Sequence, residues 1–186
     1  MVKPEIDELK TRLSALLGKE ALKKGSFVLS SGKISNYYLD GRIITLTAEG
    51  AYLVASIILE LIRDKDIDAV GGPTLGADPI VGAVAALSHI NKVPLQTFIV
   101  RKAAKEQGMQ QQIEGPALKA GSRVVLVDDV VTTGKSLIEA KEALEEIGVI
   151  IEKVIVIVDR CEGARENLAR QGLILESIFT IKELGV

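Results

Sequence analysis

An α/β fold with a wound, mainly parallel central sheet flanked by helices is predicted by three observations. From Asp68 onward, short apolar runs alternate with stretches of helical periodicity. The runs, Val124 to Val127 above all, are continuously apolar, as strands covered on both faces are. Turns rich in glycine or hydroxyl groups stand where strand gives way to helix.

Each element follows from local chemistry. A helix is expected over residues 5–22, with Ile6, Leu9, Leu13, Leu16 and Leu17 on one face and Gly25 as its breaker. Short extended pieces are expected at 27–29 and 36–40, parted by the Ser30-Ser31-Gly32 turn. Thr47 can cap a second long helix over 48–63, whose Leu53, Ile57 and Leu61 face a core. The alternation then runs strand 69–71, helix 77–88, strand 95–100, strand 123–127, helix 135–147, strand 151–158, helix 165–171 and strand 173–179. No internal repeat or low-complexity segment interrupts it.

Composition narrows the class. A chain of 186 residues suits one α/β domain over 1–186 with a real core. Its formal net charge of −2 lacks the basic excess of a nucleic-acid binder. Cys161 is the single cysteine, so neither an intrachain disulfide nor a thiolate metal cluster can form, and a reducing cytoplasm is the expected setting. Neither a signal-like apolar segment near the N-terminus nor a run long enough to span a bilayer is present, so no membrane partner is expected.

The richest chemistry lies in residues 124–136. Asp128 and Asp129 follow the apolar run directly, and adjacent carboxylates repel and lose hydration when buried. They are therefore expected at the carboxyl end of the strand, where open α/β sheets place ligands. There they can accept hydrogen bonds from sugar hydroxyls or hold the water shell of a magnesium ion. Thr132, Thr133, Gly134 and Ser136 add hydroxyl donors and a residue that lets amides approach a ligand, so the helix start would cradle a phosphate. The plainer reading is a strand, a polar turn and a capped helix without any ligand. A nucleotide-binding P-loop, suggested by Gly134-Lys135-Ser136, fails on spacing: its first glycine would fall at Asp129.

Gly71-Gly72-Pro73-Thr74-Leu75-Gly76-Ala77, between strand and helix, is a second candidate anion cradle; the plainer reading is a tight strand-to-helix turn with Asp78 near its start. Its glycines are out of register for a dinucleotide fingerprint. Residues 102–116 form a long polar stretch carrying Lys102 and Lys105 next to Arg101, which suits a lid that brings cations to a charged ligand during turnover. His89 is the only histidine and is expected to be structural or surface.

Residues 124–136 resemble the signature by which type I phosphoribosyltransferases bind 5-phosphoribosyl 1-pyrophosphate (PRPP). The segment Phe27 to Asp40 is similar to the N-terminal hood of orotate phosphoribosyltransferases, Arg101 to Gly108 to their catalytic loop, and Asp159 to Leu168 to their late base-binding turn. The blocks fall in family order. The resemblance implies the type I phosphoribosyltransferase fold, with a small hood at about 1–45 and a core at about 46–186. It implies Mg²⁺-dependent transfer of the phosphoribosyl group from PRPP to orotate, and a homodimer whose Arg101–Lys105 loop is shared across subunits.

Residue by residue, the resemblance gives PRPP binding to Thr74, Arg101, Lys102, Lys105, Gln107, Asp128, Asp129, Val130, Val131, Thr132, Thr133, Gly134, Lys135 and Ser136. It gives catalysis to Arg101, Lys102, Lys105, Asp128 and Asp129, and orotate binding to Thr132, Arg160 and Tyr38. No protein group is expected to ligate the metal directly; Mg²⁺ would come with PRPP and water, near Asp128 and Asp129. Arg160 can meet a carboxylate in a planar two-bond fork. Gln107 stands where relatives typically have histidine, and glutamine does not titrate near neutral pH, so loop-histidine acid chemistry does not transfer. Three alternatives differ in consequence: transfer to a purine or another pyrimidine base, a PRPP-sensing regulator without turnover, and a nucleotide kinase.

Overall fold

The central sheet has six strands in the order β5-β4-β3-β6-β7-β8, all parallel except the edge strand β5. The computed structural model describes residues 5–28, 34–102 and 112–186. In chain order these form α1 (Ile6–Leu16), β1 (Leu22–Val28), β2 (Ile34–Leu39), α2 (Arg42–Thr45), α3 (Ala48–Leu61), β3 (Ala69–Pro73), α4 (Ala77–Ile90), β4 (Gln96–Val100) and β5 (Ile113–Glu114). Then follow β6 (Arg123–Val131), α5 (Lys135–Glu145), β7 (Ile150–Asp159), α6 (Ala164–Arg170) and β8 (Leu175–Thr180). Among them no helix is long and apolar enough to cross a membrane.

Alternation along β6 divides the core. Val125 and Val127 point into the cluster built with α1, α3 and α4, while Val124 and Leu126 point into the one built with α5 and α6. Both faces of the strand are covered, which accounts for its unbroken apolar run. Thr47 caps α3 as expected, its hydroxyl accepting from the Gly50 amide at 3.1 Å.

Three elements depart from the expectation. The first helix ends its regular turns at Leu16, widens into a π turn over Leu17–Ala21, and gives way to β1 at Leu22, three residues before the predicted breaker. Lys23, Lys24, Gly25 and Ser26 face solvent there, so the strand lacks the apolar alternation that would reveal it. It pairs antiparallel with β2 as a separate two-stranded sheet. The strand expected to stop at Val127 runs on through both acids to Val131, because β7 is long enough to pair with it as far as Asp159. Neither β5 nor the single turn α2 was expected; two- and four-residue elements carry too little periodicity to show.

Between β3 and β6 the winding reverses: the chain steps from β3 outward to β4 and returns on the far side as β6. Such a switch point leaves a crevice at the carboxyl ends of the strands.

Candidate active site

A cavity of about 520 Å³ occupies that crevice. Its walls include Asp128, Asp129 and Val130 from the end of β6, Ser136 from α5, and Thr74, Leu75 and Gly76 from the β3–α4 loop. Tyr38 and the turn from Asp40 to Arg42 close the third side, and Lys102 stands at the end of β4.

The alternation that sorts the core also sorts the acids. Asp128 continues the α5 side of β6, and its Oδ2 lies 3.5 Å from the Ser136 hydroxyl, a long contact. Asp129 continues the opposite side, where its carboxylate lies against Gly41 and Gly76. Each carboxylate also accepts from the next backbone amide in the strand: Asp129 N donates to Asp128 Oδ1 at 2.9 Å, and Val130 N to Asp129 Oδ1 at 2.8 Å.

Burial makes this pair electrostatically costly. Asp128 is only 7 % exposed, and desolvation followed by repulsion from Asp129 holds its pKa well above the ordinary carboxylate value. Asp129 is raised too, first by desolvation; amide hydrogen bonding and the nearby Arg42 cation work against the rise, and Asp40 adds to it. The sequence reading ended the strand at Val127 with the acids at its carboxyl end; the strand instead runs through both acids, and they are largely out of water.

The turn after β6 reaches the cavity wall only through Ser136; Thr132, Thr133, Gly134 and Lys135 do not line it. Gly134 takes the left-handed conformation (φ 82°) at the start of α5, and no side chain caps that helix. Thr132, Thr133, Lys135 and Ser136 flank Gly134 in the chain, whereas Val131 packs into the core and can offer a ligand only its backbone. Asn167 of α6 braces the turn by donating from Nδ2 to the Thr133 carbonyl at 2.9 Å. The sequence places Asn167 in the Asp159–Leu168 block but does not show this contact, which joins positions far apart in the chain.

Of the remaining residues given to PRPP, Thr74 and Lys102 reach the cavity wall. Arg101 does not; its Nη1 lies 3.3 Å from Glu114 Oε1, and its backbone is tied to Gln112. Lys105, Gln107, the Ser30-Ser31-Gly32 turn and most of the expected lid fall outside the described residues. His89 is exposed in the last turn of α4, away from the cavity wall.

Arg160 stands just beyond β7, its side chain 11 % exposed. Its Nε lies 2.9 Å from both Glu162 Oε1 and the Tyr37 hydroxyl, and its guanidinium sits 4.9 Å from the centre of the Tyr37 ring. Asp159 accepts the Cys161 amide at 2.8 Å and so shapes the turn that presents it. Tyr37, not Tyr38, is the tyrosine that meets Arg160. Tyr38 lines the cavity and packs at a 40° tilt on Phe27. The adjacent-aromatic pair was visible in the sequence; which member turned inward depended on the β1–β2 register.

Comparison with known proteins agrees with this geometry. Residues 44–180 match the phosphoribosyl transferase domain family. The orotate phosphoribosyltransferase of Synechocystis sp. is 44 % identical over 177 residues, covering 95 % of this chain and 89 % of that protein. The crystal structure of Mycobacterium tuberculosis orotate phosphoribosyltransferase with Fe(III) dicitrate superposes with a TM-score of 0.84 at 37 % identity, covering 96 % of this chain and 99 % of that one. The same enzyme in complex with PRPP superposes at 0.80 with 34 % identity and the same coverage. The chain belongs to the phosphoribosyltransferase family, on its orotate phosphoribosyltransferase branch.

Proposed function

We propose that this chain transfers the 5-phosphoribosyl group from PRPP to a ring nitrogen of orotate, giving orotidine 5′-monophosphate and pyrophosphate, a step of UMP biosynthesis. The observation that carries this reading is the crevice between β3 and β6, where the buried Asp128 and half-buried Asp129 face a cavity lined also by Thr74 and Lys102, ahead of an uncapped helix start. It offers hydroxyl-accepting carboxylates to a ribose, amides to a phosphate and a cation to a pyrophosphate.

The base nitrogen attacks the anomeric carbon while the bond to the pyrophosphate oxygen breaks, with inversion, and that oxygen keeps the electron pair. Positive charge grows on the sugar as negative charge grows on the leaving group. Asp128 and Asp129 orient the ribose hydroxyls and favour the cationic sugar. Lys102, joined by Arg101 and Lys105, stabilises the departing pyrophosphate, with Gln107 a hydrogen-bond donor to it. Thr132, Thr133, Gly134, Lys135 and Ser136, with the backbone of Val130 and Val131, anchor the 5-phosphate. Arg160 and Thr132 take the orotate edge, and Tyr38 stacks on the ring. Nothing covalent is asked of the protein; its contribution is position and electrostatics.

The donors at the cavity are oxygens, and among the described residues no three His, Cys, Asp or Glu side chains gather as a metal cage. That suits Mg²⁺, which keeps waters and substrate oxygens and needs few carboxylates. Bound there it would offset pyrophosphate charge, with Asp128 and Asp129 near its water shell.

We further propose one domain over residues 1–186, with hood and core meeting near residue 45, cytoplasmic, and paired as a homodimer that shares the Arg101–Lys105 loop. An apolar groove of about 450 Å³ beside the site, with Ile43, Leu46 and Leu75 exposed along it, gives a second copy a surface to bury. The test of function is turnover with PRPP, Mg²⁺ and a panel of bases. Orotate should be consumed and adenine, guanine, hypoxanthine and uracil left; activity on adenine with none on orotate would remove the substrate assignment.

A further inference from the structure

The turn Asp40-Gly41-Arg42 joins β2 to α2 and forms a wall of the cavity, and the sequence reading gives neither Gly41 nor Arg42 a part. We infer that this turn is a positioning element for the acid pair: Gly41 leaves the space that Asp129 occupies, and Arg42, locked by Asp40, sets a fixed positive charge beside it. The inference rests on the sugar-binding role proposed for Asp129.

Gly41 has ordinary right-handed helical angles, φ −64° and ψ −24°, which any L-residue adopts without strain. Conformational freedom therefore does not explain a glycine there. Space does: a Cβ on Gly41 would lie 2.8 Å from Asp129 Cβ and 2.9 Å from its Oδ2. Rotating the Asp129 side chain relieves the second contact but not the first, since Cβ is fixed by the strand. Gly76 repeats the pattern from the other side. Its angles are also ordinary, φ −61° and ψ −41°, and its Cβ would lie 2.0 Å from Asp128 Oδ1 and 2.5 Å from Asp129 Oδ1. The acid pair is held between two backbones that carry no side chain where they face it.

Arg42 is fixed by three hydrogen bonds to one partner. Its Nε donates to Asp40 Oδ1 at 3.0 Å, its Nη2 to Asp40 Oδ2 at 2.9 Å, and its backbone amide to Oδ1 at 3.0 Å. This planar fork orders a half-exposed side chain that would otherwise sweep through solvent. The guanidinium holds the Asp40 carboxyl below its usual range, so both partners stay charged. The charged groups around Asp129 are Asp128 on its own strand, Asp40 and Arg42 on the turn, and Lys102 across the cavity. Arg42 is the cation of the turn: it partly answers the repulsion that Asp40 exerts on Asp129, which would otherwise add in full to the cost of burying that carboxylate. Because the turn is also the end of β2, the hood that carries Tyr37 and Tyr38 is tied to the sugar site through it.

The test measures kcat and both KM values, with PRPP affinity by calorimetry, for the parent, Gly41→Ala, Arg42→Gln and Arg42→Lys. We expect Gly41→Ala and Arg42→Gln each to lower kcat/KM for PRPP and PRPP affinity by about tenfold or more, while the KM for orotate changes by less than about threefold. Arg42→Lys should recover at least about threefold over Arg42→Gln, because a cation is restored without the fork. Arg42 is half-exposed, so its variants decide the matter even where Gly41→Ala yields no soluble protein. PRPP parameters unchanged in Arg42→Gln, equal losses for both substrates with a lowered Tm, or lysine no better than glutamine would each overturn the inference. A parent that turns over no PRPP would instead remove the proposed function, and the inference with it.

Discussion

Neighbouring strands β6 and β7 both end in charge at the same edge of the sheet, and they treat it in opposite ways. At the end of β7, Arg160 is nearly buried, yet it is matched by Glu162, the Tyr37 hydroxyl and the Tyr37 ring face. At the end of β6, Asp128 is buried as deeply, but its neighbours are a second acid, one amide and a distant hydroxyl. Arg160 is pre-oriented before any ligand arrives. The acid pair instead carries an electrostatic cost that a ligand rich in hydroxyls, or a developing cation, would relieve. Under the proposed function, the difference separates a group suited to recognising a fixed shape from one suited to answering a change of charge.

Truncating the matched side should do the most damage. Arg160→Ala is expected to raise the orotate requirement by about 2–5 kcal/mol, since it leaves Glu162 without its partner and the orotate carboxylate without its fork. Steady-state kinetics with orotate varied at saturating PRPP will show it, and an unaltered orotate profile would take Arg160 out of the base site. Next in size is Lys102→Ala, expected to lower kcat about 10²-fold or more while orotate binding barely changes, because its interaction grows with the leaving-group charge. Normal turnover in that variant would contradict the role.

On the mismatched side the expected sign is reversed for stability. Asp128 has its folded pKa raised, so the native state holds the proton more tightly than the unfolded chain does. Its contribution to stability is thus fully present below the unfolded value and is lost as pH rises through the folded one. Asp128→Asn should lower turnover yet melt higher than the parent at neutral pH, by a few degrees at roughly 2–4 °C per kcal/mol. The gap should close in acid. A parent as stable as the variant at pH 7 would show that the pair is not strained by burial. The smallest effect is expected from Tyr37→Phe, which keeps the ring but removes the hydroxyl: about 0.5–1.5 kcal/mol, seen in the KM for orotate with kcat preserved. A fall in kcat without any change in that KM would mean that Tyr37 does not position Arg160.

What the sequence made legible follows from the same contrast. The acid-bearing strand and its turn are contiguous, so residues 124–136 disclose their own chemistry, and the covered faces of β6 disclose the parallel sheet. The strand's true end was hidden because it is set by the length of β7, not by the solvation of Asp128 and Asp129. The pairing of Arg160 with Tyr37 joins residues 123 positions apart and depends on hairpin register, which no local pattern encodes. Gly41 reads as an ordinary turn glycine until the distance to Asp129 is known. β1 was masked by its own Lys23-Lys24-Gly25-Ser26, whose side chains face solvent.

The central claim is that the acid pair and the turn after it bind PRPP. Titration calorimetry with PRPP and Mg²⁺ tests it most directly, comparing the parent with Asp128→Asn/Asp129→Asn. The account predicts saturable heat for the parent and affinity at least about tenfold weaker in the double variant, near 1.4 kcal/mol or more. Equal affinity in the two proteins, or no binding heat in the parent, would contradict it.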